Sequence, residues 1–187
     1  MSTPLARLVD REIAGDAPPV CAPFVAEIRR RFAGVAAVLF YGSCLRGATD
    51  EGVLDFYALV DDYALAYGGG WLARANALLP PNVFHVTAGD RHAKVAVVST
   101  ADFAVHTGER ALRPLVWARF CQPFAVAWLR DEAARTALVA SAADALRTAA
   151  LRGLGLLPLR DDGTVATASG PFWTRLFAET YASELRP

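Results

Sequence analysis

Lysine is nearly missing from this 187-residue sequence: Lys94 stands alone against 18 arginines. An excess of positive charge is missing too, because 19 basic and 19 acidic residues cancel to a formal net charge of zero. Without a global basic field there is no sign of an extended nucleic-acid footprint, and a charged partner must be held by a local site. Cysteine is scarce. Cys21, Cys44 and Cys121 are odd in number and widely spaced, which fits reduced thiols in a cytoplasmic protein better than a disulfide framework, and they lack zinc-site spacing. No apolar run approaches the roughly 20 residues that span a bilayer. The N-terminal stretch carries Asp10, Glu12 and Asp16 and lacks a signal-peptide core. The expectation is a soluble protein, or one peripheral at the inner face of the membrane.

What is present reads as a folded α/β chain. Hydrophobic residues make up 54% and charged residues 20%, a balance that argues against disorder and provides for one sizeable core. Phe24, Val25, Ile28 and Phe32 recur at helical spacing, with Pro23 suited to the first turn and Gly34 to the stop. Four β-rich runs follow: VAAVLFYGS, LDFYALVDD, NVFHVTAGD and HAKVAVVST. The last two are joined by a Gly-Asp-Arg turn that predicts a hairpin, and hence a mixed sheet. Tyr67 to Trp71 is glycine-rich, and WLARANALL predicts a short helix ended by Pro80 and Pro81. From about Ala101 strand signals fade and alanine-rich helices take over, the longest at about Asp131 to Leu157, before a loop at LRDDGTVATASGP and a final helix. The expected division is an α/β domain over residues 1–125 and a helical domain over 126–187.

The stretch YGSCLRGATDEGVLDFYALV carries the first chemical signal. A Gly-Ser turn after a buried strand offers backbone N–H groups and a hydroxyl to a triphosphate, since glycine lets the backbone come close. Polymerase-β-like nucleotidyltransferases use such a turn, followed by one or two strand carboxylates that hold magnesium. Ser43 is followed by Asp55 at a compatible distance, but Tyr57 stands where a second acid on the same strand face is usual. Taken alone, the turn and the aspartate fit an ordinary strand connection as well.

VLDFYALVDDY, AKVAVVSTADF, PLVWARFCQPF, ALRGLGLLP and TYASELR add to it, in an order and spacing that resemble the mitochondrial phosphatidate cytidylyltransferases, the CDP-diacylglycerol synthases also known as translocator assembly and maintenance proteins. The likeness runs from about Val38 to Arg186. It implies a polymerase-β-like nucleotidyltransferase domain followed by a helical segment, at a membrane surface, that makes CDP-diacylglycerol from CTP and phosphatidic acid with magnesium. On the matching positions, Gly42 and Ser43 take the phosphate turn, Asp55 the metal, and Lys94 and Arg119 the neutralising charges; Arg46, beside the turn, is a further phosphate contact or a solvated side chain. The family has an apolar residue at the position of Tyr57. Departures are the glycine-rich YALAYGGGW in place of an Asn and His-Tyr-Ser segment, Gln122 in place of a lysine, and a chain that stops soon after SELRP, as in a shortened relative or a piece of a longer protein.

The lone lysine is an independent pointer. An arginine-biased chain that keeps one compact ammonium in the strand AKVAVV fits a triphosphate clamp, although a lysine at a sheet edge has the same pattern. Other polar residues are given structural roles. Asp61 and Asp62 end a strand about 20 Å from Asp55 at roughly 3.3 Å per residue; Asp50 and Glu51 lie in a solvated turn; His85, His92 and His106 show no metal spacing, and of these His85, in a strand, is the one to watch. Phe172, Trp173, Phe177 and Tyr181 recur at core-like helical spacing, with a lipid-facing role as the alternative. With Arg147 and Arg152 they are the segments best placed to reach a bilayer. Three other functions fit the same residues: a small nucleotidyltransferase acting with CTP or another nucleoside triphosphate on RNA, protein or a soluble phosphate; a non-catalytic nucleotide-binding relative; and an assembly protein.

Overall fold

Two apolar runs, broken by the single charged residue Asp55, form the central strands, because a strand covered on both faces has no solvent side on which to alternate. The structure is a computed structural model that describes residues 3–47, 52–158, 161–162, 164 and 168–183, with the side chains of Arg46, Gly47 and Ser183 outside that description. The expected turn residues Asp50 and Glu51 lie outside it as well. In chain order the elements are α1 (Pro4–Glu12), α2 (Cys21–Arg31), β1 (Val35–Tyr41), α3 (Ser43–Gly47), β2 (Leu54–Val60), α4 (Tyr63–Tyr67) and α5 (Gly70–Leu78). They continue with β3 (Asn82–Ala88), β4 (Arg91–Ser99), α6 (Thr100–Thr107), α7 (Trp117–Phe120), β5 (Ala125–Leu129), α8 (Glu132–Gly155) and α9 (Ser169–Ser183).

The five strands lie side by side in the order β3, β4, β2, β1, β5. β2 and β4 run parallel, and the other neighbours are antiparallel, so the sheet is mixed and the predicted β3–β4 hairpin is present. Each face carries its own core. Phe24 and Ile28 of α2, Tyr63 of α4 and Ala73 of α5 pack on Val38, Phe40, Phe56, Val95 and Val97. On the other face Phe103, Trp117, Phe120, Leu138, Ala142 and Leu176 pack on Leu39, Tyr57, Ala96 and Val98. An irregularity between Val35 and Ala37 lets β1 send these two residues to opposite faces.

Three elements correct the sequence reading. β5 lies within the stretch assigned to helices: AVAWL is short, alanine-bearing and paired only with β1 at the sheet edge, so its strand signal is weak. The guanidinium of Arg29 sits 4.2 Å from the centroid of the Trp128 ring on that edge strand. α1, given no element in the sequence reading, starts from a local signal: the Thr3 hydroxyl caps it by accepting the Ala6 N–H at 3.2 Å, with Pro4 at the first helical position. α4 begins at Asp62, which accepts the Leu65 N–H at 2.7 Å, while Asp61 binds Arg130 at 2.6 Å. Both aspartates thus stand just past the end of β2, as expected.

α8 packs across the same sheet face as α1, α6 and α7, and α9 lies on α8. The α8–α9 seat depends on a missing side chain: a Cβ at Gly153 would collide with the ring of Phe172. Arg147 and Arg152 are both engaged locally, the first with Asp144 at 2.7 Å and the second with the Ala111 carbonyl at 2.9 Å. Among the described residues no helix is long and apolar enough to cross a membrane.

Candidate functional site

The register of the sheet builds a row of chemistry across it. Tyr41 is opposite Asp55 on β2, Asp55 is opposite Lys94 on β4, and Lys94 is opposite His85 on β3. Directly paired residues project to the same face, so these four side chains emerge on one side. Two residues further along each strand, Leu39, Tyr57, Ala96 and Val83 carry that face toward the core. Where the core ends, a cavity of about 740 Å³ opens, a volume suited to a small-molecule ligand. Its walls include Gly42, Ser43, Asp55, Lys94 and Arg119, every predicted site residue except Arg46, whose side chain lies outside the described residues.

Gly42 has φ +96°, a backbone conformation that favours glycine. Its bare Cα faces Asp55 so closely that a Cβ there would stand 2.9 Å from the carboxylate Oδ2. The turn therefore delivers Ser43, which is exposed, directly beside the half-buried carboxylate. Arg119 comes from α7, with its guanidinium donating to the Leu115 carbonyl and hydrogen-bonded to the Tyr41 hydroxyl oxygen. Burial raises the Tyr41 pKa well above the usual tyrosine range, and the neighbouring Tyr57 and Asp55 add to that, while Arg119 pulls the other way. Tyr41 is thus a neutral hydroxyl between an anion and a cation. Lys94 is exposed, and among the described residues its ammonium has no ion-pair or hydrogen-bond partner, although it is Asp55's neighbour in register. Among the described lining residues two cations and one carboxylate give a formal excess of one positive charge, which favours an anion.

Tyr57, at the position where a second acid is usual, is 2% exposed and meets Phe120 edge-on at 5.0 Å between ring centroids. It is a floor for the cavity that belongs to the core. Asp55 is accordingly the only carboxylate among the described lining residues. Magnesium is commonly held by one or two carboxylates, substrate phosphates and several waters. One carboxylate pressed against a bare glycine turn fits an ion that arrives with a triphosphate.

Sequence reasoning missed the far wall. Phe177 and Tyr181, read as core or lipid-facing, line the cavity from α9 together with Thr180. Helical periodicity gives one face to the interior, but does not say whether that face meets a core or a cavity. Phe172 and Trp173, one turn earlier, pack on the core, and Trp173 stacks on Phe177 at 5.7 Å. Tyr41 was also missed, and its signal was available in the antiparallel pairing of the two strands that flank the turn. At the cavity mouth Val83 and Tyr181 are 55% and 56% exposed, and the exposed Leu78 and Leu79 lie just before Pro81, another wall residue. Gln122 lines the cavity where the resembling family has lysine, and its amide donates to the Ala118 carbonyl at 2.6 Å. All three cysteines are free thiols; burial pushes Cys21 up to about 11 and Cys121 up to about 12, so neither is a thiolate nucleophile at neutral pH. Compared with known proteins, the chain matches no family model and no curated protein, so its chemistry rests on the cavity and the residues that line it.

Proposed function

We propose that the chain is a magnesium-dependent nucleotidyltransferase of the phosphatidate cytidylyltransferase type, which converts CTP and phosphatidic acid into CDP-diacylglycerol and pyrophosphate. The observation that carries this reading is the meeting of Gly42, Ser43, Asp55, Lys94 and Arg119, from separate segments of the chain, around one cavity. Gly42 and Ser43 hold the β- and γ-phosphates, where the bare backbone allows close approach. Asp55, together with phosphate oxygens of the substrate, would hold a magnesium ion, and that ion would supply charge neutralisation for the triphosphate. Lys94 and Arg119 offset the charge that builds as an oxygen of the acceptor phosphate bonds to the α-phosphorus. The bond from the α-phosphorus to the bridging oxygen breaks, and pyrophosphate leaves with that electron pair. Positioning and electrostatics do most of such a transfer.

The lining favours a phosphate acceptor over a hydroxyl. A phosphate monoester is largely ionised at neutral pH, with a second pKa of about 6, and needs no base. A hydroxyl on RNA or protein needs one, and Asp55, the one carboxylate of the described lining, is given to the metal in this reading. The exposed apolar residues at the mouth suit an acceptor with acyl chains.

The deciding experiment incubates the purified protein with CTP, magnesium and vesicles with or without phosphatidic acid. Salt-sensitive binding to the phosphatidic acid vesicles is expected, with pyrophosphate released only in their presence. Protein that ignores such vesicles and attaches nucleotide to RNA or to a polypeptide would replace this reading with the hydroxyl-acceptor one.

Lys94→Arg tests the clamp. The substitution keeps the charge but exchanges a compact ammonium for a wide planar fork. At a tight phosphate contact, turnover is expected to fall about tenfold, equivalent to roughly 1.4 kcal/mol of lost transition-state stabilisation. Unchanged turnover and unchanged CTP affinity in steady-state assays would leave Lys94 as a solvated side chain of the interior strand β4, whose pairing on both sides corrects the sheet-edge alternative.

A further inference from the structure

Nucleotide transfer to a phosphate brings two anionic groups together, yet the Gly42–Ser43 turn provides for only one. The sheet continues past Lys94 to β3, where His85 is Lys94's partner in register and therefore projects on the cavity side. Val83, two residues earlier on the same face of β3, is itself a wall residue. His85 is exposed, and among the described residues its ring has no hydrogen-bond partner; its backbone carbonyl is held by Arg31 at 3.2 Å, which fixes this part of the edge strand. With neighbouring strands about 4.8 Å apart, Asp55, Lys94 and His85 span roughly 10 Å. That is room for a triphosphate at one end and a second phosphate at the other, with the lysine between them.

We propose that His85 and Lys94 form a second anion subsite that binds the phosphomonoester of the acceptor, making His85 a substrate-binding residue on the open edge of the cavity. The proposal deepens the nucleotidyltransferase reading and rests on it for the identity of the bound group as acceptor. The imidazole supplies an N–H donor, the ammonium supplies charge, and β3, as an edge strand, leaves the approach open from one side. Further along the same face the Thr87 hydroxyl and the His92 ring lie 3.3 Å apart and occupy one another, which ends the row of available donors at His85.

The test has a binding arm and a kinetic arm. In the first, the histidine ring signals of the intact protein are followed by NMR, with the His85 signal assigned by its loss in His85→Asn. Glycerol 3-phosphate and monomeric dioctanoyl phosphatidic acid are each titrated in. Either phosphomonoester is expected to move the His85 signal, and CTP with magnesium to move it far less. His85→Asn is expected to weaken phosphomonoester binding about tenfold, the usual scale for losing a hydrogen bond to a charged group. Tighter binding of the lipid identifies a headgroup as the source, and equal binding identifies a soluble phosphomonoester; both support the subsite. A His85 signal that neither ligand moves, or unchanged affinity in His85→Asn, overturns it.

In the kinetic arm His85→Asn is expected to raise the KM for the acceptor about tenfold and to leave the KM for CTP within about twofold. Transfer with an unchanged acceptor KM would remove the subsite while the nucleotidyltransferase reading stands. Phosphomonoester binding at His85 in a protein that transfers no nucleotide would do the reverse.

Discussion

Asp55→Asn is expected to lower nucleotidyl transfer on the order of a thousandfold while leaving the thermal midpoint of unfolding nearly unchanged. Several kcal/mol of charge stabilisation by a bound metal is worth about three powers of ten at 1.36 kcal/mol each. Asparagine has almost the shape of aspartate, so it keeps the contact with the bare Gly42 turn but loses the charge that holds the ion. With Asp55 the only carboxylate among the described lining residues, no neighbour stands in for it. Pyrophosphate release measured beside thermal unfolding separates the two effects. Full activity in a folded variant would remove Asp55 from the metal site and the proposed mechanism with it.

Gly42→Ala is expected to damage both activity and stability. At φ +96° any side chain is strained, and the new methyl would stand 2.9 Å from the Asp55 carboxylate. Holding a non-glycine residue there costs about 1–3 kcal/mol. For a chain of this size each kcal/mol lowers the midpoint by about 2–4 °C. The carboxylate would also be pushed from its place, so transfer is expected to fall at least about a hundredfold, since displacements near 1 Å have that effect. The ordering is the sharper test: the loss of activity should persist at temperatures where calorimetry shows the variant fully folded. An alanine variant as stable and as active as the parent would mean that the turn and the carboxylate do not touch in solution.

The parts of this architecture that were legible in the sequence are those with a local cause. β1 and β2 announce themselves because burial on both faces makes VAAVLFY and LDFYALV almost continuously apolar, and the β3–β4 hairpin follows from its Gly-Asp turn. α8 was legible from alanine and leucine periodicity. The same alanine bias hid β5, whose assignment depends on pairing with β1, a tertiary fact. Within the site, Gly42, Ser43 and Asp55 were visible as a short motif, but the adjacency of Asp55 and Lys94 comes from a parallel pairing between strands separated by α4, α5 and β3. No local pattern encodes that register. Nor does a helical stripe at Phe177 and Tyr181 reveal that it faces open volume.

The described cavity walls run in sequence from Tyr41 to Tyr181, through four sheet strands, the α7 turn and the α9 helix. No fragment of the chain assembles them alone, so occupancy of the cavity and unfolding of the whole molecule are linked equilibria. A ligand that recognises the assembled walls and not the open chain adds its binding free energy to that of folding, about 2.7 kcal/mol when present at a hundred times its dissociation constant. The molecule is then firmest when it is loaded, and the same free energy that selects a ligand also protects every distant segment that had to come together to receive it.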